Sequence, residues 1–255
     1  ARRIVRKGVD PGRVVTVPPW SHDDDIRFDP HARELFRSQH GLEGKFVVMY
    51  AGNHSPCHPL DTLLEASRRL ATDPSVIFCF VGGGSEWRRI GQASLPPNVR
   101  MLPYQPREAL SGVLSAADLH VVVMGAPFVG LVHPCKIYNL LRIGAPLLYI
   151  GPGSGPIAAL LHEAERELSA CVARPGNCQE VMEQIQHMRR IGGDARAFRK
   201  SSLAARYSRA NLLPRLIDEL EAGMPKRRAA FKALIYAAGD ARRPSPASHF
   251  TRSVR

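Results

Sequence analysis

The chain has 255 residues, 44% of them hydrophobic, and carries a formal net charge of +12 at pH 7. This composition suits one large domain with a packed core and excludes disorder of the whole chain, while the lack of an apolar run of about 18 residues argues against a transmembrane helix. The five cysteines are scattered without a zinc-type spacing, which predicts a reducing, cytoplasmic setting and no structural metal.

The two ends of the chain differ from its middle. The chain starts at Ala1 with neither an initiator Met nor an apolar signal region, so we expect it to begin inside a longer protein. More than half of the positive charge follows Gly223, where eight basic residues stand against one acid, Asp240. Residues 224–255 are therefore predicted to be a basic, disordered tail; binding of nucleic acid or anionic lipid is the alternative interpretation. No zinc-finger or RNP signature indicates specific nucleic-acid recognition.

Strand-like and helix-like segments alternate as far as about residue 220. Strands are predicted where short apolar runs end at glycine, proline or polar residues, at 45–50, 76–81, 98–102, 118–124 and 146–150. Helices are predicted for the amphipathic stretches at 60–70, from about 85, at 106–116, at 135–141 and over much of 178–221. Continuous apolar strands between such helices predict an α/β fold with a doubly wound parallel sheet, Rossmann-like, over residues 21–223.

Glycines stand at two of the predicted strand ends, where ligands of such sheets bind. Gly82-Gly83-Gly84 precedes a helix, so the backbone can approach a ligand and the helix can offer its amides to an anion; an ordinary strand-to-helix turn is the alternative. The segment matches neither a Walker A loop nor the GxGxxG pattern. Gly52 would allow a similar approach, with Asn53 and His54 as hydrogen-bond donors, and a simple turn with an exposed histidine is again the alternative.

The stretch around Lys136 carries a charge conflict. Pro134 suits the first turn of a helix, and Lys136 lies in the same turn, where the helix dipole favours acids. An anionic ligand such as a diphosphate would resolve the conflict, whereas a lysine that simply reaches solvent is the alternative. His133 and Cys135 flank Pro134, but residues two apart at a helix start need not face one another, so a nucleophile pair is not indicated.

Taken in order, these segments resemble the C-terminal domain of family 4 glycosyltransferases. The residues that carry the resemblance are Phe46 to His54, Leu60 to Ala66, Phe80 to Gly84, Asn98 to Pro106, Ala116 to Leu119, His133 to Asn139 and Gly144 to Pro146. The match extends from about Gly8 to Glu221 and is nearest to the branch with a Pro-Ser-Lys-type motif, found in capsule, O-antigen and exopolysaccharide assembly.

The resemblance implies one half of a GT-B enzyme, whose other, N-terminal half is largely absent from this chain. Residues 1–20 would be the remnant of the crossover between the halves. It further implies transfer with retention from a UDP- or GDP-linked sugar to a glycan or polyprenyl-linked acceptor, without metal or other cofactor. The resemblance implies a cytoplasmic location, and it allows peripheral association with the inner face of the membrane.

The resemblance also implies a set of donor-binding residues, while the catalytic residues stay unassigned. Lys136 would face the diphosphate, and Tyr104 and Gln105 would lie near the base. The complete set is Gly52, Asn53, His54, Gly82, Gly83, Gly84, Tyr104, Gln105, His133, Lys136 and Asn139. The chain departs from the family where Asn53 and His58 replace basic residues and where Leu131 and Asn139 replace two glutamates, which leaves the donor sugar open.

Three rival functions remain open at this point. A sugar-nucleotide epimerase of the same fold would carry acids and histidines around the sugar. A non-catalytic fragment would bind nucleotide and transfer nothing. Nucleic-acid binding through the basic tail would be steeply salt-dependent and would be lost when the residues after Gly223 are removed.

Overall fold

The computed structural model describes residues 1–21, 26–164, 167–191 and 202–223, so the predicted tail at 224–255 lies outside the described residues. Six strands form one sheet: β1 (Phe46–Asn53), β2 (Val76–Gly83), β3 (Val99–Leu102), β4 (Leu119–Val123), β5 (Leu147–Ile150) and β6 (Ala170–Ala173). The order across the sheet is β3-β2-β1-β4-β5-β6, and every neighbouring pair is parallel. The predicted doubly wound, Rossmann-like α/β fold is confirmed.

Helices connect the strands and cover both faces of the sheet. Those of the described residues are α1 (Arg2–Val5), α2 (Pro30–Gln39), α3 (Asp61–Arg69), α4 (Ser85–Gly91), α5 (Leu110–Ser115), α6 (Lys136–Ile143), α7 (Pro156–Ala164), α8 (Cys178–Ile191), α9 (Ser202–Arg206) and α10 (Arg209–Ala222). Local sequence explains several ends. The carboxylate of Asp29 accepts a hydrogen bond from the amide of Ala32 at the start of α2, and Gly144 ends α6 in the left-handed conformation at φ 74°.

The core forms on both faces of the sheet because alternate strand residues point in opposite directions. In β1, Val48 and Tyr50 pack in the same cluster as Leu63 of α3, whereas Met49 packs on the other face with Val113 of α5. All of them are buried. A strand that is buried on both faces is apolar at nearly every position, His120 of β4 being the exception, which is why the central strands read as almost continuous hydrophobic runs.

An ion-pair cluster attaches α2 to the amino edge of the sheet. The Asp118 carboxylate, immediately before β4, pairs with Arg33 at 2.5 Å and with Arg37 at 3.1 Å, both from α2. The same carboxylate accepts a hydrogen bond from the amide of Val47 in β1 at 2.7 Å. The three side chains are largely shielded from solvent, so this cluster joins a helix to two strands.

The structure differs from the sequence-based expectations at several elements. Strands β1 and β2 run on through the glycine motifs, with Gly52 opposite Gly82 and Asn53 opposite Gly83. The region predicted as one helix at 106–116 divides into a 3-10 turn, Arg107–Ala109, followed by α5. Strand β6 was not predicted, because it has only four residues and three of them are partly exposed at the edge of the sheet.

The chain divides into two compact units, one of Pro18–Leu212 and one of Ala1–Val17 with the chain from Leu213 onward. The sheet and every residue predicted to bind a ligand belong to the first unit. The predicted boundaries at 20/21 and 223/224 stay predictions. Among the helices of the described ranges, none is long and apolar enough to cross a membrane.

Candidate functional site

The sheet has one point where the order of its strands reverses. The chain winds outward from β1 through β2 to β3, then returns to place β4 on the other side of β1. At such a switch point the loops diverge and leave a crevice at the carboxyl edge. A cavity of about 400 Å³ opens there, lined by Ala51, Gly52, Val81, Gly82, Tyr104, Gln105, Arg107, Leu110, Val113, Leu114, His120, Val121, Lys136, Asn139 and Leu140.

Lys136 is the first residue of α6, within the first helical turn as the sequence predicted, and its side chain reaches Tyr50 and Gly52 of β1. Its Nζ lies 3.4 Å from the centre of the Tyr50 ring. A Cβ atom added to Gly52 would lie 3.4 Å from that Nζ, so the left-handed Gly52 (φ 123°) leaves room for the lysine. Although the residue is partly exposed as a whole, the Nζ atom is buried and has no hydrogen-bond partner among the described residues. Burial lowers the pKa of Lys136 well below its usual value.

Three buried histidines surround this lysine. His54, just after β1, donates from Nδ1 to the carbonyl of Gly52 at 2.8 Å, and burial lowers its pKa to about 4. His58 donates from Nδ1 to the carbonyl of Val123 at 2.7 Å, and burial lowers its pKa as well. His120 in β4 donates from Nε2 to the carbonyl of Leu114, also at 2.7 Å. The predicted alternative of an exposed histidine at position 54 is therefore wrong.

The glycines at the ends of β1 and β2 let two segments of backbone meet. A Cβ atom on Gly82 would clash with the carbonyl oxygen of Gly52, and one on Gly84 would clash with the carbonyl oxygen of His54. Both glycines have a positive φ, 137° and 128°. Gly52 and Gly82 also line the cavity, so close packing of the strands and access for a ligand depend on the same residues.

Tyr104 and Gln105 follow β3 and line the opposite wall of the cavity. The Tyr104 ring packs on Gly83, where an added Cβ would lie 2.8 Å from its Cε2, and 60% of the residue's surface is exposed. The amide of Gln105 donates to the carbonyl of Pro103 at 3.0 Å. A flat, exposed ring above an apolar cavity is suited to stacking with a planar group such as a nucleobase.

His133 lines a second cavity, of about 220 Å³, formed by residues 129–134 with Met124, Tyr149 and Gly155 to Ile157. Its Nε2 lies 2.8 Å from the hydroxyl of Tyr138, and the two rings stack with their centres 5.6 Å apart. Asn139 of α6 lines the larger cavity instead, and its Oδ1 accepts a hydrogen bond from the hydroxyl of Ser21 at 2.5 Å. Helix α6 thus lines the larger cavity with Lys136, Asn139 and Leu140, whereas the segment just before it lines the smaller one with His133 and Pro134.

Of the predicted residues, Gly52, Gly82, Tyr104, Gln105, Lys136 and Asn139 line the larger cavity and His133 lines the smaller one. Asn53, His54, Gly83 and Gly84 line neither cavity and form the β1–β2 end that supports them. The sequence reasoning did not identify Arg107 and His120, which also line the larger cavity. A basic residue soon after Tyr104-Gln105 was a usable signal for Arg107, whereas His120 was hidden inside an apolar run. Over the described ranges, no group of three or more His, Cys, Asp or Glu side chains could hold a metal ion.

The fold and the cavity define the class of domain: a Rossmann-like α/β domain with a ligand cleft at the carboxyl edge of its switch point. Residues 32–131 match the family model described as glycosyl transferases group 1. That segment includes β1 to β4 and most of the cavity wall.

Relatives found by sequence are named as glycosyl transferases. The chain is 32% identical over 149 residues to WcaI of Escherichia coli (strain K12), whose name proposes it as a colanic acid biosynthesis glycosyl transferase; the match covers 56% of this chain and 36% of that protein. It is 33% identical over 146 residues to D-inositol 3-phosphate glycosyltransferase of Nocardia farcinica (strain IFM 10152), covering 52% and 32%. The chain thus spans about a third of the length of these curated relatives.

Comparison with solved structures supports the same fold. The structure of Anabaena Alr3699/HepE in complex with UDP and glucose superimposes with a TM-score of 0.69 at 17% identity, over 87% of this chain and 60% of that one. The sheet described above is therefore the Rossmann-like fold seen in GT-B glycosyltransferase structures.

Proposed function

We propose that this chain is the donor-binding, C-terminal part of a retaining family 4 glycosyltransferase, which moves a sugar from a UDP- or GDP-linked donor to a glycan or lipid-linked acceptor. The observation that carries the proposal is the amine of Lys136 at the start of α6. It lies within the cleft at the switch point without an acceptor among the described residues. A donor diphosphate would supply that acceptor and would meet the amides of the helix start.

The rest of the cleft fits the remaining parts of such a donor. Tyr104 offers an exposed ring for the base, and a second, smaller cavity is lined by His133. The volume of about 220 Å³ suits a single sugar ring. Lys136, the amides of α6 and Arg107 would balance the diphosphate charge without a metal ion, which is the electrostatic stabilisation that the leaving nucleotide needs.

Names of the relatives support the proposal without deciding the substrates. WcaI is named for colanic acid biosynthesis, in keeping with an acceptor in polysaccharide assembly. The HepE structure holds UDP and glucose, which favours a uridine nucleotide. Retention, the acceptor and the cytoplasmic setting rest on the resemblance described above.

Calorimetric titration with UDP, GDP and their sugar conjugates tests the proposal. We expect the chain to bind one nucleotide in the micromolar-to-millimolar range and Lys136→Ala to weaken that binding by about tenfold or more, as expected for loss of a charge-assisted contact. Lys45→Ala is the matched control, since Lys45 lies at the amino edge of the same sheet, immediately before β1. A folded chain that binds none of these nucleotides, or equal weakening by both substitutions, would contradict a donor site at Lys136.

Because the chain spans about a third of its relatives, binding without transfer by this chain alone is a second candidate function. An assay for transfer of the sugar from the nucleotide to added acceptors, with the products separated by chromatography, distinguishes a transferase from a protein that only binds the nucleotide. Conversion of the nucleotide sugar to its epimer in the same assay would instead identify an epimerase.

A further inference from the structure

The amine of Lys136 lies in a setting that stabilises an ammonium ion poorly. Its Nζ is buried, and within the described residues no oxygen or nitrogen accepts a hydrogen bond from it. The centre of the Tyr50 ring lies 3.4 Å from it. A ring face attracts a cation, but one such contact is worth far less than the hydration that burial removes.

The titratable groups that face Lys136 are bases and phenols. From β1 and the segment after it come Tyr50, His54 and His58; from β4 comes His120; and Tyr104 and Arg107 line the same cavity. The Nε2 atom of His54 is buried and, like the lysine, has no partner among the described residues. The cavity wall contains no Asp or Glu, so no carboxylate of that wall balances a charge on Lys136.

We propose that Lys136 is held as a neutral amine in the free protein and takes up a proton when an anionic ligand enters the cleft, so that donor binding is coupled to proton uptake. This inference rests on the proposed donor site. The amine accepts one proton from solvent and becomes an ammonium ion, which then donates to the diphosphate oxygens. Burial, which lowers the pKa of the free amine, is opposed in the complex by the two negative charges.

Proton uptake can be measured directly by calorimetry. UDP-glucose and GDP-mannose are suitable ligands, because a diphosphate esterified at both ends has no ionisation of its own near neutral pH. The observed heat is recorded at about pH 7.5 in buffers with different heats of ionisation, and its slope counts the protons gained. We expect a slope approaching one proton for the wild-type chain and zero for Lys136→Arg, whose guanidinium is charged before binding.

The same coupling makes affinity depend on pH. Above the pKa of the free amine, Kd should rise up to about tenfold per pH unit for the wild-type chain, since a proton must be bound each time. Lys136→Arg should lack this dependence, and Lys45→Arg should keep both the slope and the proton uptake of the wild type. Binding with no proton uptake, or uptake that persists in Lys136→Arg, would overturn the proposal.

Stability provides a second measurement that needs no ligand. A fold that lowers the pKa of a lysine disfavours its ammonium form, so the penalty is present at low pH and disappears as pH rises toward the value of the unfolded chain. Relative to Lys136→Met, the unfolding constant of the wild type should therefore fall by up to about tenfold per pH unit toward about pH 10. A ratio that does not change with pH would show that the lysine is already charged. Failure of both nucleotide sugars to bind would instead overturn the donor site itself.

Discussion

His120 is a buried, hydrogen-bonded histidine in the middle of β4, with only 1% of its surface exposed. Burial lowers its pKa to about 4, from an ordinary value near 6.5. The folded state favours the neutral ring of His120, so this residue costs no stability above about pH 6.5. As pH falls toward 4, the unfolded chain takes up the proton first and the free energy of unfolding decreases. At pH 5 the cost from this residue alone is about 2 kcal/mol.

Chemical unfolding at about pH 7 and about pH 5 checks this expectation. The wild-type chain should lose more stability between the two values than His120→Gln does, because only the wild type must protonate that ring on unfolding. The amide of glutamine can still donate to the carbonyl of Leu114. Equal losses in both proteins would mean that His120 does not titrate between these values.

At the scale of single residues, the sequence was informative where a charged residue stands at the end of a helix. It was uninformative where tertiary packing determines whether a side chain is buried. Lys136 was identified because a lysine in the first turn of a helix opposes the dipole, and this is local information. His54 was expected to be a donor to a ligand, yet its ring is buried and its Nδ1 bonds Gly52. That burial depends on β2 lying beside β1, which no local pattern contains.

Among the elements, α2 depends on the ion-pair cluster at Asp118. Asp118→Asn would remove the charge that Arg33 and Arg37 both contact while keeping the size of the side chain. We expect a loss of about 3 kcal/mol in the free energy of unfolding, because two largely buried guanidinium groups lose their counter-charge. Denaturant titration measures this loss.

Asp61→Asn is the matched control for that substitution. Asp61 pairs with Arg89 at 2.9 Å, but its side chain is 68% exposed, so we expect a change within about 0.5 kcal/mol. If both variants lost the same stability, the cluster at Asp118 would have no special role in holding α2.

The elements themselves were predicted well in the centre of the sheet and poorly at its edge. Strand β4 was predicted within a residue of each end, since Val121 and its neighbours form a continuous apolar run. Strand β6 was missed because it is only four residues long and Ala170, Cys171 and Val172 are partly exposed. Strand β1 extends past its predicted end because its pairing with β2 continues through Gly52 and Gly82, a tertiary effect.

For the molecule as a whole, the position of the charge separates the rival functions. Removal of residues 224–255 lowers the net charge by seven, because that segment holds eight basic residues and one acid. We expect nucleotide-sugar affinity to be unchanged, since every residue that lines either cavity precedes position 158. Calorimetry on the truncated chain measures this directly.

The same truncation tests nucleic-acid binding. If the tail binds nucleic acid, affinity should fall steeply with salt in the full chain and vanish in the truncated one. Affinity for nucleic acid that survives the truncation would place the contact within residues 1–223 instead. Alternation of apolar strands and amphipathic helices sufficed to predict the fold, but a choice among these ligands depends on how α6, β1 and the segment after β3 come together in space.

The close contact between Gly82 and the carbonyl group of Gly52 limits how the sequence of this domain can evolve. A side chain that crowds another side chain can be accommodated by trimming its neighbour, so such pairs drift together through successive substitutions. Here the obstacle to any residue larger than glycine at position 82 is main chain, which no mutation can shorten. We therefore expect glycine at position 82 to be retained as the sequence diverges, whereas the exposed side chain of Tyr104 in the wall of the same cavity can be replaced without moving the main chain.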